Sequence, residues 1–466
     1  MKIQRRSRFC RTVFFLFFLI SFGYRCPDWS FAAQDQSGPV VPIAREEVYE
    51  RALKNNPAID LQASEYASQS EEVGIRKATY FPQISLTVEQ LYLNTPLLGF
   101  VFPNEEGLAP EAVLPSLTQE IYDFGRRRNS VKAARLSRQS ARWSLSEARL
   151  AVVWKAAIAF DQLSMFQHLL TSAIENEKSA RLHLDQTLLR LGKGLAIWPD
   201  VTQAKVYWQK SRLQLVQIQN EIHKSQAELA YGMGERRFTL YEAMGDVTSV
   251  NLPLDAEKLT EFALIHRPLL QALEKKDEQR EVLVNRAFDE HLPKISLFAN
   301  VLLLYGVPPN ITGAPPNSGL FLPAYQTGIG LSVPIFSGMR IVHQTEQARD
   351  ESRKEKAETR LARIRVVRNV RKALFDLKTQ EKKVKLDRVE LENATANRAM
   401  VEKSFRKGLV DSVTRIRAQS EYVTAQEALI ADRYRQVMIQ DALKWQLGVM
   451  PASRKKISPQ TDSVIR

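Results

Sequence analysis

The sequence predicts a mainly α-helical fold with a small β part. The chain is predicted to contain two copies of one unit, each with a long coiled-coil helical hairpin. Together the two copies contribute four β-strands per chain. Three observations predict it. Landmark residues recur 211 to 214 positions apart, and two stretches of about 65 residues lack helix breakers while carrying seven-residue apolar repeats. Short stretches near prolines alternate apolar and polar residues, which is typical of strands.

The N-terminal segment, residues 1–33, is expected to form a signal peptide that is removed on export. Residues 1–12 carry five basic side chains and no acid, and residues 13–22 are apolar or small. This apolar stretch is about half of the ~20 residues that span a bilayer. Both cysteines, Cys10 and Cys26, lie in this segment, so the mature chain is expected to have no disulfide and no thiolate metal site.

Prolines and glycines at matched positions indicate the duplication. Pro57 and Pro82 recur as Pro268 and Pro293, with the same offset in both cases. Further pairs at nearly this offset are Gly125 with Gly338, Gly194 with Gly408, Ala204 with Ala418 and Gly234 with Gly448. We therefore expect a first repeat over residues 34–256, a second over 257–450, and a polar C-terminal tail over 451–466.

Each unit is expected to run helix, strand, strand, very long helix, turn, long helix. A helix over 57–80 precedes a strand over 83–93, and helices of on the order of 100 Å follow Gly125 and Gly338. Apolar residues recur every seven positions along them, including Val370, Leu377, Val384 and Leu391 in one unit and Leu136, Trp143, Leu150 and Ala157 in the other. Such narrow seams indicate coiled-coil packing between hairpins and favour an oligomer.

The strands are predicted to be amphipathic. Another strand is expected to run to Phe124, and over 325–335 one face is apolar and the other small or polar. The apolar face is Thr327, Ile329, Leu331, Val333 and Ile335; the other is Gln326, Gly328, Gly330 and Ser332. Four strands are too few to close a barrel, so copies from neighbouring chains are expected to complete it. Three chains would give a barrel of twelve strands.

A soluble periplasmic coiled-coil scaffold with two surface hairpins is the alternative interpretation. In a barrel, Glu89 and Glu120 have to face the lumen. Basic residues where strand becomes helix favour the barrel, because long basic side chains at the level of the inner headgroups can reach lipid phosphates. These residues are Arg126, Arg127, Arg128 and Arg340.

Over residues 43–450 the chain resembles the TolC-like outer-membrane efflux proteins. The likeness lies in LTQEIYDFG (117–125) and LSVPIFSG (331–338), before the long helices, and in RLGKGLAIWPDVTQA (190–204) and FRKGLVDSVTRIRA (405–418), where these helices turn back. The resemblance implies a homotrimer with a twelve-stranded β-barrel in the outer membrane of a Gram-negative bacterium and a twelve-helix tunnel across the periplasm. It also implies two partners, a periplasmic adaptor (membrane fusion) protein and an inner-membrane pump.

The turns at the far end of the long helices are the first candidate site. Gly192, Gly194 and Gly408 suit these turns because glycine adopts left-handed conformations without steric cost. The resemblance implies that the adaptor docks at the same turns. The candidate contacts are Leu195, Leu409 and Val410.

The second candidate site is the tunnel entrance, with Asp200, Gln203, Thr414 and Arg417 as gate residues. In the best-known family member acidic rings close the entrance, but the matching positions here, Thr414 and Arg417, are not acidic. The tyrosine and arginine that help to lock that gate match Phe405 and Val410. We expect a different constriction, with Arg417 from three chains favouring anions and repelling divalent cations. The alternative is that Arg417 forms a salt bridge between helices.

Nothing in the sequence predicts an enzyme or a cofactor. The six histidines have no spacing of three or four that would pair them on one helix face for a metal, so each is expected at the surface or an interface. The net charge is +14, and residues 351–372 are strongly basic. Acids interleave with these basic residues on a heptad helix, which favours a solvated face over a nucleic-acid site.

The function expected from the sequence is a passive outer-membrane duct that exports drugs, metals or other solutes and is powered by an inner-membrane pump. An outer-membrane duct for type I protein secretion has the same fold and stays an alternative. The soluble scaffold is the alternative from a different class.

Overall fold

The computed structural model describes residues 40–90, 111–237, 239–245, 255–305 and 322–450. The expected signal peptide, including Cys10 and Cys26, and the expected tail over 451–466 lie outside these residues. In the described ranges, no helix combines the length and the apolar character that crossing a bilayer requires.

Helices dominate the fold, and six strands accompany them in the described residues. The first half contains β1 (Val41–Ala44), α1 (Arg45–Asn55), α2 (Pro57–Ala78), β2 (Gln83–Gln90), β3 (Glu111–Tyr122), α3 (Arg126–Gly192), α4 (Trp198–Met233) and β4 (Tyr241–Met244). The second half contains α5 (Ala256–His266), α6 (Pro268–Asp289), β5 (Lys294–Tyr305), β6 (Leu322–Ser332), α7 (Arg340–Arg406) and α8 (Ser412–Gln446).

Corresponding helices of the two halves have nearly equal lengths. α1 and α5 have 11 residues each, α2 and α6 have 22, α3 and α7 have 67, and α4 and α8 have 36 and 35. The element order predicted for each unit is therefore present in both halves, while the boundaries at 34–256 and 257–450 stay predictions.

Both halves have the same contact between the proline that opens one helix and the glycine that follows another. Proline opens α2 and α6, where a missing N–H costs nothing, and the residue before each proline is extended. Gly234 and Gly448 follow α4 and α8 with φ of +74° and +77°. They pack against the backbone just before Pro57 and Pro268, respectively. A Cβ on Gly234 would lie 2.5 Å from the Asn55 carbonyl oxygen, so a side chain there forces the backbones apart.

Apolar cores run along the long helices of each half. Phe160, Leu163 and Leu229 are buried in the first half. In the second half, the predicted seven-residue seam is confirmed where α7 buries Val370, Leu377 and Val384. Trp143 is an exception, because this side chain of α3 is exposed in the chain.

A small parallel sheet joins β1 to β4 and was not predicted. Val41 pairs with Tyr241 and Ala44 with Met244. The Gln167 side chain of α3 holds β4 by donating to the Tyr241 carbonyl (3.2 Å) and accepting from the Ala243 N–H (3.0 Å). Strands of four residues are too short to show a period of two.

The larger sheet has four strands in the order β2-β3-β5-β6, and every neighbouring pair is antiparallel. β3 ends at Tyr122 and not at Phe124, because Phe124 has a φ of +54° and turns the chain toward α3. β6 ends at Ser332 and not at residue 335, because Pro334 has no N–H for a strand ladder. β2 and β6 are the two edge strands.

The register aligns one polar residue from each of the four strands on one face, which also carries Leu114 and Phe298. Ser85 pairs with Ser116, which pairs with Asn300, which pairs with Gln326. The Oγ atoms of Ser85 and Ser116 lie 2.6 Å apart. Glu89 and Glu120 belong to this face by register, as the barrel interpretation requires. The opposite face carries exposed Ile84, Leu86, Val88, Leu297, Ile329 and Leu331.

Candidate functional site

The tips are the turns from α3 to α4 (residues 192–198) and from α7 to α8 (residues 406–412). Both turns have the same hydrogen bonds: Leu195 N–H donates to the Arg190 carbonyl (2.8 Å), and Leu409 N–H to the Ser404 carbonyl (3.0 Å). Gly194 and Gly408 adopt φ of +67° and +74°, as predicted for a glycine that ends a helix. Gly192 instead is the last residue of α3 and does not adopt a positive φ.

The candidate adaptor contacts at the tips are apolar and largely exposed. Leu195 and Leu409 project from the two turns, and Val410 is half-buried. Exposed Ile197 and Trp198 enlarge the apolar surface at the first tip. In the described part of the chain, Leu195, Leu409, Ile197 and Trp198 are thus left exposed to solvent.

Two of the four candidate gate residues take part in helix caps. Asp200 accepts a hydrogen bond from the Ile197 N–H (3.1 Å) and so caps the start of α4. Thr414 donates its N–H to Asp411 (2.9 Å) at the start of α8. Hydrogen bonds from Thr414 hold the pKa of Asp411 below its usual value. The local role of Asp200 is therefore to shape the tip.

The other two gate residues lie together on a groove between α4 and α8. The groove has a volume of about 650 Å³, and Gln203, Tyr207 and Ile416 line it together with Arg417. The Arg417 side chain is exposed and makes no ion pair or hydrogen bond within the described residues. The salt bridge considered as the alternative for Arg417 is thus not formed inside the described chain.

A buried histidine, His183, joins α3 to α8 close to the tips. The Arg415 guanidinium can only donate, so it donates to Nδ1 of His183, and the neutral ring carries its proton on Nε2, 3.0 Å from Ser412 Oγ. Glu402 of α7 pairs with Arg415 at 2.7 Å. Sequence reasoning expected His183 only as a surface or interface residue and missed these partners, which lie about 230 residues away in the chain.

The His183 junction predicts acid sensitivity. Burial, and then the Arg415 charge, lower the pKa of His183 to about 4, against an ordinary value of 6.5. The folded state therefore binds fewer protons than the unfolded state between these values. The stability from the neutral ring is full above pH ~6.5 and is lost as the pH falls toward 4. At pH ~5 the expected loss is about 2 kcal/mol.

Thermal unfolding of the wild type and of His183→Gln, measured at pH ~7 and pH ~5, checks this expectation. The glutamine amide can still accept from Arg415 or donate to Ser412, but it does not titrate. The wild type is expected to lose more stability on acidification than the variant. An equal loss in both proteins would contradict a role for His183.

Two of the four candidate membrane-interface residues, which lie where strand becomes helix, donate hydrogen bonds to backbone carbonyls of the same chain. Arg127 is buried and donates to the carbonyls of Glu120 (2.6 Å) and Ile121 (3.1 Å). Arg126 donates to the carbonyls of Asp289 (3.0 Å) and Leu292 (2.9 Å) at the end of α6. Only Arg128 and Arg340 are exposed enough to reach outward.

The two halves meet in a buried ionic cluster. Arg45, at the start of α1, pairs with Asp161 of α3 (2.8 Å) and with Asp441 of α8, and neither carboxylate is exposed. Lys444 also contacts Asp441 at 3.0 Å. Burial, opposed by Arg45 and aided by Asp441, raises the pKa of Asp161 to about 7. Trp154 of α3 stacks on Trp445 of α8, with ring centroids 4.3 Å apart.

Comparison with known proteins gives a consistent result. The family model described as outer membrane efflux protein matches residues 48–235 and again residues 259–449. Outer membrane efflux protein BepC of Brucella suis biovar 1 is 21% identical over 404 residues, covering 87% of this chain and 85% of BepC. Protein CyaE of Bordetella pertussis is 21% identical, covering 76% and 73%. The outer membrane protein VceC of Vibrio cholerae superposes with a TM-score of 0.75 at 16% identity, covering 87% and 96%.

Proposed function

Because the chain belongs to the outer membrane efflux protein family, we propose that it is the outer-membrane duct of a tripartite efflux system in a Gram-negative bacterium. The fold and the family both support a channel protein rather than an enzyme. The cargo is small molecules, such as drugs, metals or other solutes, and the duct itself is passive.

The amphipathic four-stranded sheet is the observation that carries this proposal. Its strands are 8 to 12 residues long, close to the ~9–11 that cross a membrane at a tilt. One face is apolar and exposed, and the other carries the aligned polar residues and glycines together with Leu114 and Phe298. Within the described residues, both edge strands have backbone groups without a strand partner on their outer side. A bilayer does not tolerate such free groups, so neighbouring copies have to pair with them.

Three copies close a barrel of twelve strands and surround it with twelve long hairpin helices. The 67-residue helices extend by about 100 Å, which suits a tunnel that reaches across the periplasm. The outward-reaching Arg128 and Arg340 then lie at the level of the inner headgroups.

The partners meet the duct at the tips. Leu195, Leu409 and Val410 supply an apolar surface for the helices of a periplasmic adaptor protein, which connects the duct to an inner-membrane pump. The left-handed turns at Gly194 and Gly408 hold these side chains outward. Gln203 and Arg417 lie on the groove behind the tips and narrow the entrance.

Planar bilayer recordings on protein extracted from outer-membrane fractions test the proposed function, with its native mass measured in the same detergent. A trimer that conducts supports the duct. A monomer or dimer that is recovered without detergent and does not conduct would refute it.

The charge of Arg417 leads to a prediction about ion preference. Three copies of an unpaired arginine around one axis favour anions, so Arg417→Glu is expected to shift the preference toward cations and to introduce block by divalent cations. Reversal potentials in a salt gradient measure the preference. Arg433→Glu is the matched control, because Arg433 is exposed on the same helix about 24 Å away. An unchanged preference in Arg417→Glu would remove this residue from the pore.

A further inference from the structure

Within one chain, α8 covers one face of α3. The contacts run antiparallel along both helices. Trp154 stacks on Trp445, the hydroxyls of Ser164 and Tyr434 lie 2.7 Å apart, and His183 lies 3.0 Å from Ser412. This junction joins the first half of the chain to the second.

The duplication places an equivalent face on α7, at the offset that separates Gly194 from Gly408. On α3, Leu150, Asp161 and Ser172 are 5%, 0% and 4% exposed. The equivalent residues Ile364, Phe375 and Leu386 are 65%, 67% and 69% exposed. The members of each trio are eleven positions apart, which is about three helical turns, so each trio lies on one face of its helix. Three large apolar side chains of α7 are thus exposed at positions where their counterparts on α3 are buried.

The element equivalent to α8 is α4, and its matching face is also uncovered. Trp445 corresponds to Tyr231, which is 72% exposed, and Asp441 corresponds to exposed Ala227. Ala442 corresponds to Glu228, an exposed acid with no ion pair in the described residues. The chain therefore exposes two surfaces, one on α7 and one on α4, that correspond to the two sides of the α3–α8 junction.

We propose that Ile364, Arg368, Arg371, Phe375, Lys378 and Leu386 (the α7 seam) bind Asn220, Ala227, Glu228 and Tyr231 (the α4 seam) of a second copy, in the antiparallel register of α3 on α8. The inference rests on the proposed duct and specifies how its copies contact one another. Because the two seams are different surfaces, each copy can bind one neighbour through its α7 seam and another through its α4 seam. Repeating this contact closes a ring of copies.

The register assigns partners across the interface. The Trp154–Trp445 stack becomes Arg368 on Tyr231 of the second copy, a cation–π contact. The Ser164–Tyr434 contact becomes Lys378 beside Asn220.

Ala157 lies three residues after Trp154, and Ala442 lies three residues before Trp445. The residues equivalent to them are Arg371 and Glu228, which form an ion pair between the two copies. Both of these side chains are without an ion pair in the described chain. Charge complementarity thus favours the same register as the repeat.

The junction between chains differs in chemistry from the junction within a chain. Within a chain, the buried carboxylates of Asp161 and Asp441 share the partly exposed Arg45. The equivalent positions between chains are Phe375, Ala227 and Ala256, which are apolar. The proposed contacts between copies are therefore apolar and cation–π contacts together with the Arg371–Glu228 ion pair, in place of the carboxylates buried within a chain.

Disulfide cross-linking of the full-length protein in outer-membrane fractions tests the register. The mature chain is expected to have no cysteine, so Phe375→Cys with Ala227→Cys introduces one pair, and oxidation is expected to link most chains into dimers and trimers. In the control, Phe375→Cys with Leu213→Cys, the second cysteine lies about 21 Å along α4, and little linking is expected. The single-cysteine variants control for random collisions.

A charge swap gives an independent readout. Arg371→Glu and Glu228→Arg alone are each expected to raise about tenfold the protein concentration at which trimers dissociate in detergent, and the double swap is expected to restore the wild-type value. A native trimer that fails to cross-link at 375 and 227, and whose swap restores nothing, would overturn this interface while leaving the duct intact. Absence of any trimer would overturn both.

Discussion

Replacing Ile329 by arginine is expected to prevent the protein from accumulating in the outer membrane. Ile329 lies on the apolar face of edge strand β6, opposite Leu297, and is exposed in the single chain. In a barrel this position faces lipid, where an arginine costs about 2–4 kcal/mol near the midplane. The proposed trimer would carry the substitution three times. Leu331→Arg, on the same face, is expected to have the same effect.

Arginine on the other face of the same strand is the control. Ser332→Arg is expected to be tolerated because its side chain points to the polar face. Ser332 pairs with Lys294, so Gln326→Arg, which pairs with Asn300, avoids a like-charge neighbour and is the cleaner control. Quantifying each variant in outer-membrane and soluble fractions checks the prediction. Equal losses on both faces would count against a barrel.

Arg45→Met is expected to destabilise the folded chain by about 3–5 kcal/mol, because it leaves buried carboxylates without their shared cation. Lys444 still contacts Asp441, so Asp161 bears most of the effect. Arg51→Met is the matched control on the same helix. Arg51 pairs with Glu47 and Glu235 while partly exposed, and removing it is expected to cost at most about 1 kcal/mol.

Asp161 allows the mechanism to be separated from a loss of packing. Adding Asp161→Asn to Arg45→Met removes the unpaired charge and is expected to recover part of the stability. Burial already raises the pKa of Asp161 to about 7, and losing Arg45 raises it further. The protonated carboxyl has no charge-burial cost, so the defect of Arg45→Met is expected to be smaller at pH ~5 than at pH ~8. Denaturant unfolding at both pH values measures it, and a defect independent of pH would point to packing alone.

Much of the fold could be predicted because its signals are local and repeated. Prolines that open helices, glycines that end them and seven-residue apolar repeats each specify an element without distant contacts. The same signals at matched positions identified the duplication. The alternation in β6 predicted its two faces, and the observed register extends those faces over all four strands.

The parts that could not be predicted depend on distant residues or on very short elements. Arg127 was predicted to reach lipid headgroups. The sequence does not reveal that its guanidinium donates to the backbone carbonyls of Glu120 and Ile121 instead. The partners of His183 and Arg45 come from the other half of the chain. At the candidate gate, Asp200 and Thr414 proved to form caps, a role set by the exact start of each helix, whereas Gln203 and Arg417 share one groove.

The equal lengths of α3 and α7, 67 residues each, limit how this protein can change during evolution. One inserted residue moves a tip by ~1.5 Å and rotates everything beyond it by ~100°, which misaligns the seam. Seven residues restore the seam but lift that tip by about 10 Å above the other. A longer form of the proposed tunnel therefore requires matched insertions in both helices of both hairpins. Length variants are expected to differ by the same multiple of seven or eleven residues in each half.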